Sequence, residues 1–158
     1  MPVRSFHGVS PLDNNVYLIY DETTRLTAIV DPTLFSEKIW KFVQDEGLVL
    51  QYILNTHGHF DHVYNNAYFK QQAPDAKLLY HPDDEEIVGG LVQSAARWDL
   101  HPDPSPPADA PLAGGTSVMV GGLEVKVMYT PGHTPGGCSF WVPQDAARSE
   151  EHTSELQS

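Results

Sequence analysis

Four side chains able to hold a metal ion fall within six consecutive residues, His57, His59, Asp61 and His62 of Thr56-His57-Gly58-His59-Phe60-Asp61-His62. The whole chain has only eight histidines in 158 residues, so chance clustering is a poor explanation. In an extended segment residues two apart point the same way, so His57 and His59 can converge on one ion. Asp61 and His62 lie where the chain turns into a helix and can face a second ion nearby. Imidazole nitrogen and carboxylate oxygen suit zinc, with iron or manganese also acceptable. Far downstream, Tyr129-Thr130-Pro131-Gly132-His133-Thr134-Pro135-Gly136-Gly137 sets another histidine in a loop whose prolines and glycines fix its shape. His133 is then a third nitrogen ligand for the first ion. Three histidines with open positions describe a catalytic site better than a closed structural one. His7, His81 and His101 lack partners at ligand spacing, and His81-Pro82-Asp83-Asp84 reads as a helix start rather than a metal pair.

The elements that must position these residues can be read from periodicity and punctuation. Val16–Tyr20 and Thr27–Val30 are short β-branched and aromatic runs separated by Asp21-Glu22-Thr23-Thr24, a hairpin pattern. Ser36 is a candidate N-cap for a helix from Glu37 to Glu46 that stops at Gly47, with Ile39, Trp40 and Val43 facing the core. Leu50–Leu54 is a strand that runs straight into the histidine cluster. A helix follows from His62 to Gln72, then a strand at Lys77–Tyr80. Asp83 or Asp84 caps a further helix extending to Trp98, its first turn rich in acids as the helix dipole favours. Residues 101–115 hold five prolines and two glycines and read as a long irregular loop. Val118–Val120 and Leu123–Tyr129 flank a Gly121-Gly122 turn, and a last strand spans Cys138–Val142. Hairpins mixed with strand–helix alternation predict a mixed α/β (α+β) sheet sandwich in one domain.

Composition narrows the partners. The net charge is −12 with histidines neutral, and no Lys/Arg cluster occurs, so a nucleic-acid partner is disfavoured. The same acidity argues against anionic membranes, and no run approaches the roughly 20 apolar residues of a membrane span. No N-terminal signal peptide is evident, which makes a cytoplasmic protein with a small-molecule substrate the expectation. The single cysteine, Cys138, permits no internal disulfide and reads as a small buried strand residue.

Residues 148–158, RSEEHTSELQS, lack apolar periodicity and resemble, residue for residue, the in-frame translation of a common sequencing-library adapter. They are read as a non-native tail, with the natural sequence, residues 1–147, ending near Ala147. Without that string the net charge is −10, and the acidic reading stands.

The segment 56–62 resembles the HxHxDH signature of the metallo-β-lactamase superfamily, and Thr130–Gly136 resembles its second histidine motif. Asn14–Leu18 and Ile29–Pro32 are similar to that fold's opening strands. The TPGHTPG form of the second motif is similar to glyoxalase II-like, hydroxyacylglutathione hydrolase-like members. The resemblance implies a metallo-β-lactamase-type αββα sandwich, incomplete at the C-terminus, with apolar sheet surface left uncovered. It implies His57, His59 and His133 on a first metal and Asp61 and His62 on a second, with two Zn2+ ions in the intact site and Fe or Mn as alternatives. Asp61 would also orient the nucleophile. The family's bridging aspartate and last metal histidine would follow beyond this chain, so little activity is expected of it alone. The implied reaction is metal-assisted hydrolysis, with a thioester such as a hydroxyacyl-glutathione as first substrate. Lactones, other esters, persulfide oxidation at one iron, or a non-catalytic metal-binding module are the alternatives. Asp31 reads as a turn or supporting residue and not a ligand. Tyr64-Asn65 stands where the family commonly has glycine, and Tyr64 is expected to pack on the sheet.

Overall fold

The computed structural model describes residues 3–10, 12, 14–143 and 155–156. The expected boundary near Ala147 and most of the adapter-like string lie outside them. Strands β1 (Val3–Phe6), β2 (Val16–Tyr20), β3 (Leu26–Val30), β4 (Val49–Leu54), β5 (Lys77–Tyr80) and β6 (Ala110–Pro111) form one sheet in sequential order. Strands β7 (Ser117–Val120), β8 (Leu123–Tyr129), β9 (Cys138–Trp141) and β10 (Glu155–Leu156) form a second, with order β10-β9-β8-β7. The β2–β3 pair is the expected antiparallel hairpin, whereas β3, β4, β5 and β6 run parallel. Parallel neighbours need crossovers. These are supplied by α1 (Glu37–Asp45), by α2 (Phe60–Val63) with α3 (Asn66–Gln72), and by α4 (Glu85–Gly89) with α5 (Leu91–Ala96).

Alternation along the central strands feeds two cores. Leu18, Ile29, Ile53 and Leu78 pack with Ile39, Val43, Val63, Phe69, Val88 and Leu91 of the helices. Their neighbours Ile19, Val30, Leu54 and Leu79 point the other way, against Val120, Val125, Val127 and Phe140 of the second sheet. The described residues thus stack as helices, sheet, sheet, three of the four layers of an αββα sandwich. On the remaining face of the second sheet Met119 is exposed.

Several local expectations change. The helix expected over 62–72 is two helices, because Tyr64 and Asn65 interrupt it. Asn65 is buried and its amide donates to the Thr33 carbonyl and to Glu37, tying the break to the start of α1. Tyr64 is half-buried beside this junction, and burial and then the charge of Glu37 push its phenol up. Ser36 occupies the N-cap position of α1 without a side-chain cap bond; its hydroxyl donates to the Thr33 carbonyl instead. The single helix expected from Asp83 or Asp84 to Trp98 is a 3-10 turn (Pro82–Asp84) followed by α4 and α5. The 101–115 loop is irregular except for β6, which adds a sixth strand.

Candidate metal centre

The histidine cluster sits where two parallel strands end together. Val30 of β3 pairs with Leu54 of β4, so the next residues, Asp31 and Asn55-Thr56-His57, emerge side by side at the carboxyl edge of the sheet. Asp31 takes a left-handed backbone, φ +55°, which aspartate tolerates better than most residues. This turns its carboxylate under the cluster. It accepts from the Thr56 N–H at 2.7 Å, from the Thr56 hydroxyl at 2.6 Å and from His62 Nδ1 at 3.1 Å. The second sheet closes in from the other side: the Cys138 N–H donates to the Thr56 carbonyl at 2.7 Å.

That junction brings the distant loop to the cluster. The Thr130 N–H donates to the Gly137 carbonyl and the Gly132 N–H to that of Thr134, so the loop folds tightly around His133. Gly137 is needed there, since a Cβ on it would stand 2.8 Å from the Thr130 oxygen. One ligand nitrogen each from His57, His59 and His133 lies within 4.8 Å of the others. Ring centroids are 4.9 Å apart for His57–His59 and His57–His133, and 4.6 Å for His59–His133, with the rings close to mutually perpendicular. His57 is buried, His59 half-buried and His133 exposed, so the trio opens toward solvent.

Hydrogen bonds fix the tautomers. The Thr56 hydroxyl gives its proton to Asp31, so toward His57 Nδ1, 3.1 Å away, it can only accept. His57 therefore carries its proton on Nδ1 and is basic at Nε2. Likewise Asp31 accepts from His62 Nδ1, leaving Nε2 of His62 basic and facing the Asp61 carboxylate at 3.6 Å. A second close grouping, Asp31, His57 and His62, is this hydrogen-bonded support beneath the site.

Charge follows the same division. Burial, then the neighbouring His62, lowers His57 to about 4, and burial followed by the charge of His133 lowers His59. Burial also pulls on His62, but the hydrogen bond and charge of Asp31, with Asp61, outweigh it and raise this histidine. Asp31 is itself buried, yet its bond to His62 and the nearby imidazoles hold it below the usual carboxylate value. Three nitrogens grouped from two loops, two of them pushed toward the neutral form that donates a lone pair, are a donor set that fits zinc or a similar divalent ion.

The structure thus brings together His57, His59 and His133, and places Asp61 beside His62 at their rim. It also supplies a residue that sequence spacing did not mark. Asn14 is buried, its Oδ1 accepts from the Ser10 and Thr33 hydroxyls, and its Nδ2 therefore faces Asp61 Oδ2 at 3.0 Å and His62 Nε2 at 3.3 Å. Cys138 is buried beneath the site, and burial and then Asp84 push its thiol up to about 11, a poor nucleophile.

A two-sheet sandwich with a histidine trio at the junction of its sheets defines a class of metal-binding folds, and comparison identifies the family. The sequence profile described as the Metallo-beta-lactamase superfamily matches residues 9–146, and the chain belongs to that superfamily. It is similar to a hydroxyacylglutathione hydrolase of Synechococcus sp., 33% identical over 134 residues, which are 85% of this chain and 45% of that protein. It is 28% identical over 148 residues to the hydroxyacylglutathione hydrolase of Rhodospirillum rubrum, 93% of this chain and 50% of the relative. The crystal structure of TTHA1623 in a di-iron-bound form superposes with a TM-score of 0.76 at 33% identity, covering 89% of this chain and 68% of that one. The BLEG-1 B3 metallo-beta-lactamase gives 0.79 at 25% identity, with 91% and 68% covered. The chain spans about half the length of the curated hydrolases it matches.

Proposed function

We propose that this chain carries the metal site of a hydrolase that cleaves thioesters of the hydroxyacyl-glutathione type, with Zn2+ as the resident metal. The observation that carries the reading is the meeting of His57, His59 and His133, from two loops, with their donor atoms within 4.8 Å. These three hold the first cation, and Asp61 and His62 contribute to a second. When bound, the metal would lower the pKa of a water to about 7 and polarise the carbonyl under attack. Neutral His57 and His59 offer their lone pairs at neutral pH with no proton to displace. Asp61, held by the Asn14 amide, stands at the rim where it can accept a hydrogen bond from the attacking water and fix its direction. Asp31 keeps the protons of His62 and, through Thr56, of His57 on the sides that face away from the cation. No Ser or Cys nucleophile is required. The hydroxyacylglutathione hydrolases among the relatives support the thioester, and the di-iron form of TTHA1623 supports iron as the alternative metal.

The site is tested on the 158-residue chain by competition with a chromophoric chelator. Binding of Zn2+ that His57→Ala weakens at least a hundredfold supports the assignment, and equal binding by both proteins refutes it. The substrate is tested by parallel assays of a hydroxyacyl-glutathione, a simple ester and a lactone, with and without chelator, on the chain and on a full-length relative. Metal-dependent turnover confined to the lactone would replace the thioester, and a metal-loaded protein inert toward all three would favour a non-catalytic metal module.

A further inference from the structure

The turn His81-Pro82-Asp83-Asp84 looks, in sequence, like a helix start, and its first half behaves as one: His81 Nδ1 accepts from the Asp83 N–H at 3.1 Å. Asp84 does not. It occupies the N-cap position of α4, yet its side chain makes no cap bond and is fully buried. Its carboxylate reaches across to both histidine loops at once. Oδ2 accepts from the Gly58 N–H at 2.8 Å and from the Thr134 hydroxyl at 2.7 Å, and Oδ1 accepts from the Gly136 N–H at 2.7 Å. Gly58 lies between His57 and His59, while Thr134 and Gly136 follow His133 in its loop.

The approach is close enough to demand glycine at Gly136 and to leave little room for a side chain at Gly58. A Cβ on Gly136 would stand 2.8 Å from Asp84 Cγ, and one on Gly58 would stand 3.0 Å from Val88 Cγ2 and 3.3 Å from Asp84 Cβ. The turn is fastened to the second loop a further time, since the Tyr129 hydroxyl bonds the Pro135 carbonyl at 2.7 Å and lies 3.2 Å from Asp83 Oδ2. The Tyr129 ring stacks on His81 at 4.6 Å.

We infer that Asp84 is a positioning residue for the metal centre, a carboxylate clamp that sets His133 against the His57–His59 pair. Each loop could satisfy its own donors locally, but one buried group accepting from both makes their separation a property of Asp84. The carboxylate has two oxygens for three donors, and neither Gly58 N–H nor Gly136 N–H can turn away. An asparagine keeps the shape and lacks one acceptor, so in either orientation one backbone N–H faces an amide nitrogen. The loops then part, and the trio loses its spacing.

This role rests on the metal reading of the trio, and the test separates the two. Co2+ is titrated into the full 158-residue chain as wild type, Asp84→Asn, Thr134→Val and the exposed control Glu86→Gln. Dissociation constants and visible ligand-field bands are recorded, together with amide exchange of Gly58 and Gly136 in the metal-free protein. Expected are wild-type behaviour for the control, at least tenfold weaker binding with altered bands for Asp84→Asn, a smaller loss for Thr134→Val, and faster exchange at both glycines in Asp84→Asn. A purely structural role would lower the unfolding midpoint and leave the affinity and bands of the folded protein unchanged; that outcome overturns the clamp. If Asp84→Asn does not fold, Thr134→Val decides, because it keeps the carboxylate and both backbone bonds, and wild-type affinity in it overturns the clamp. A wild-type chain that fails to bind Co2+ overturns the metal reading, and the positioning role falls with it.

Discussion

Replacing Asp31 by asparagine isolates the network beneath the histidines. The left-handed backbone at this position, φ +55°, is one that asparagine adopts readily, so the substitution changes hydrogen bonding and charge with little strain. Among the described contacts the carboxylate accepts from Thr56 N–H on Oδ1, and from the Thr56 hydroxyl and His62 Nδ1 on Oδ2. With the asparagine oxygen at Oδ1, the Thr56 hydroxyl can reverse and accept, but His62 N–H faces an amide nitrogen. With the amide reversed, Thr56 N–H is stranded instead. One buried donor left without an acceptor costs about 1–3 kcal/mol, and exchanging charge-assisted bonds for neutral ones adds roughly 1 kcal/mol. The expected loss is therefore about 3 kcal/mol, read as a lower urea midpoint at unchanged slope for metal-free protein at pH 7. Asp31→Ala should lose a further ~1–2 kcal/mol because alanine pays for the left-handed backbone. The folded protein holds Asp31 below its ordinary value of 3.8, so its contribution is present above that value and disappears as pH falls through the folded one. The gap between wild type and Asp31→Asn should accordingly narrow in strong acid. His62 can escape its stranded proton only by moving it to Nε2, the nitrogen that faces Asp61, and 15N shifts of the ring report this. An Asp31→Asn protein within about 0.5 kcal/mol of wild type, with its His62 tautomer unchanged, would refute the reasoning.

Three further outcomes are expected. Titration of the His57 ring by NMR in metal-free protein should give a midpoint near 4, and a midpoint near 6.5 would contradict its burial. Between those values the unfolded chain binds a proton at this residue that the folded one refuses, so the His57 contribution falls by up to about 3 kcal/mol as pH drops from 6.5 to 4, while His62, raised, acts in the opposite sense. Asn14→Leu removes the amide that holds Asp61 and faces His62, and should weaken uptake of a second metal equivalent about tenfold or more while sparing the first; isothermal titration giving equal loss at both steps would contradict this. Phe140→Ala, emptying a fully buried site between the sheets, should cost about 3–5 kcal/mol by urea unfolding, and a loss below 1 kcal/mol would mean that the sheets are not packed as described.

Much of this was legible because local chemistry announced it. Strands β2, β3, β4, β7 and β8 carry branched and aromatic runs bounded by turn residues, and the trio shows as two motifs rich in His, Gly and Pro. Asn14 was hidden for a geometric reason: it meets Asp61 only because β2 lies beside β3 and β3 beside β4, and no spacing along the chain encodes that. Asp84 was misread because Asp before a helix ordinarily caps it, and the capping pattern of the sequence is the same whichever way the carboxylate turns. The break at Tyr64-Asn65 was invisible in the apolar period, since the interruption is fixed by the Asn65 side chain reaching α1. In each case a long-range polar contact overrode a sound local preference.

Those overrides fall where the site is built, and the layout gives a reason. Each sheet is held by its own ladder and shares an apolar core with the other, an interaction that resists separation but is indifferent to small sliding. A metal centre drawn from both sheets needs tenths of an ångström, which apolar packing alone does not specify. Directional bonds between the sheets do: Cys138 N–H to the Thr56 carbonyl at 2.7 Å, and Asp84 to Gly58 on one loop and to Thr134 and Gly136 on the other. Buried polar groups at the junction are costly to leave unmatched, so the sheets are held in the register in which these bonds form together. In that register the three imidazoles meet. The buried polar residues around the histidines are therefore what converts a sliding contact between two sheets into a fixed coordination geometry.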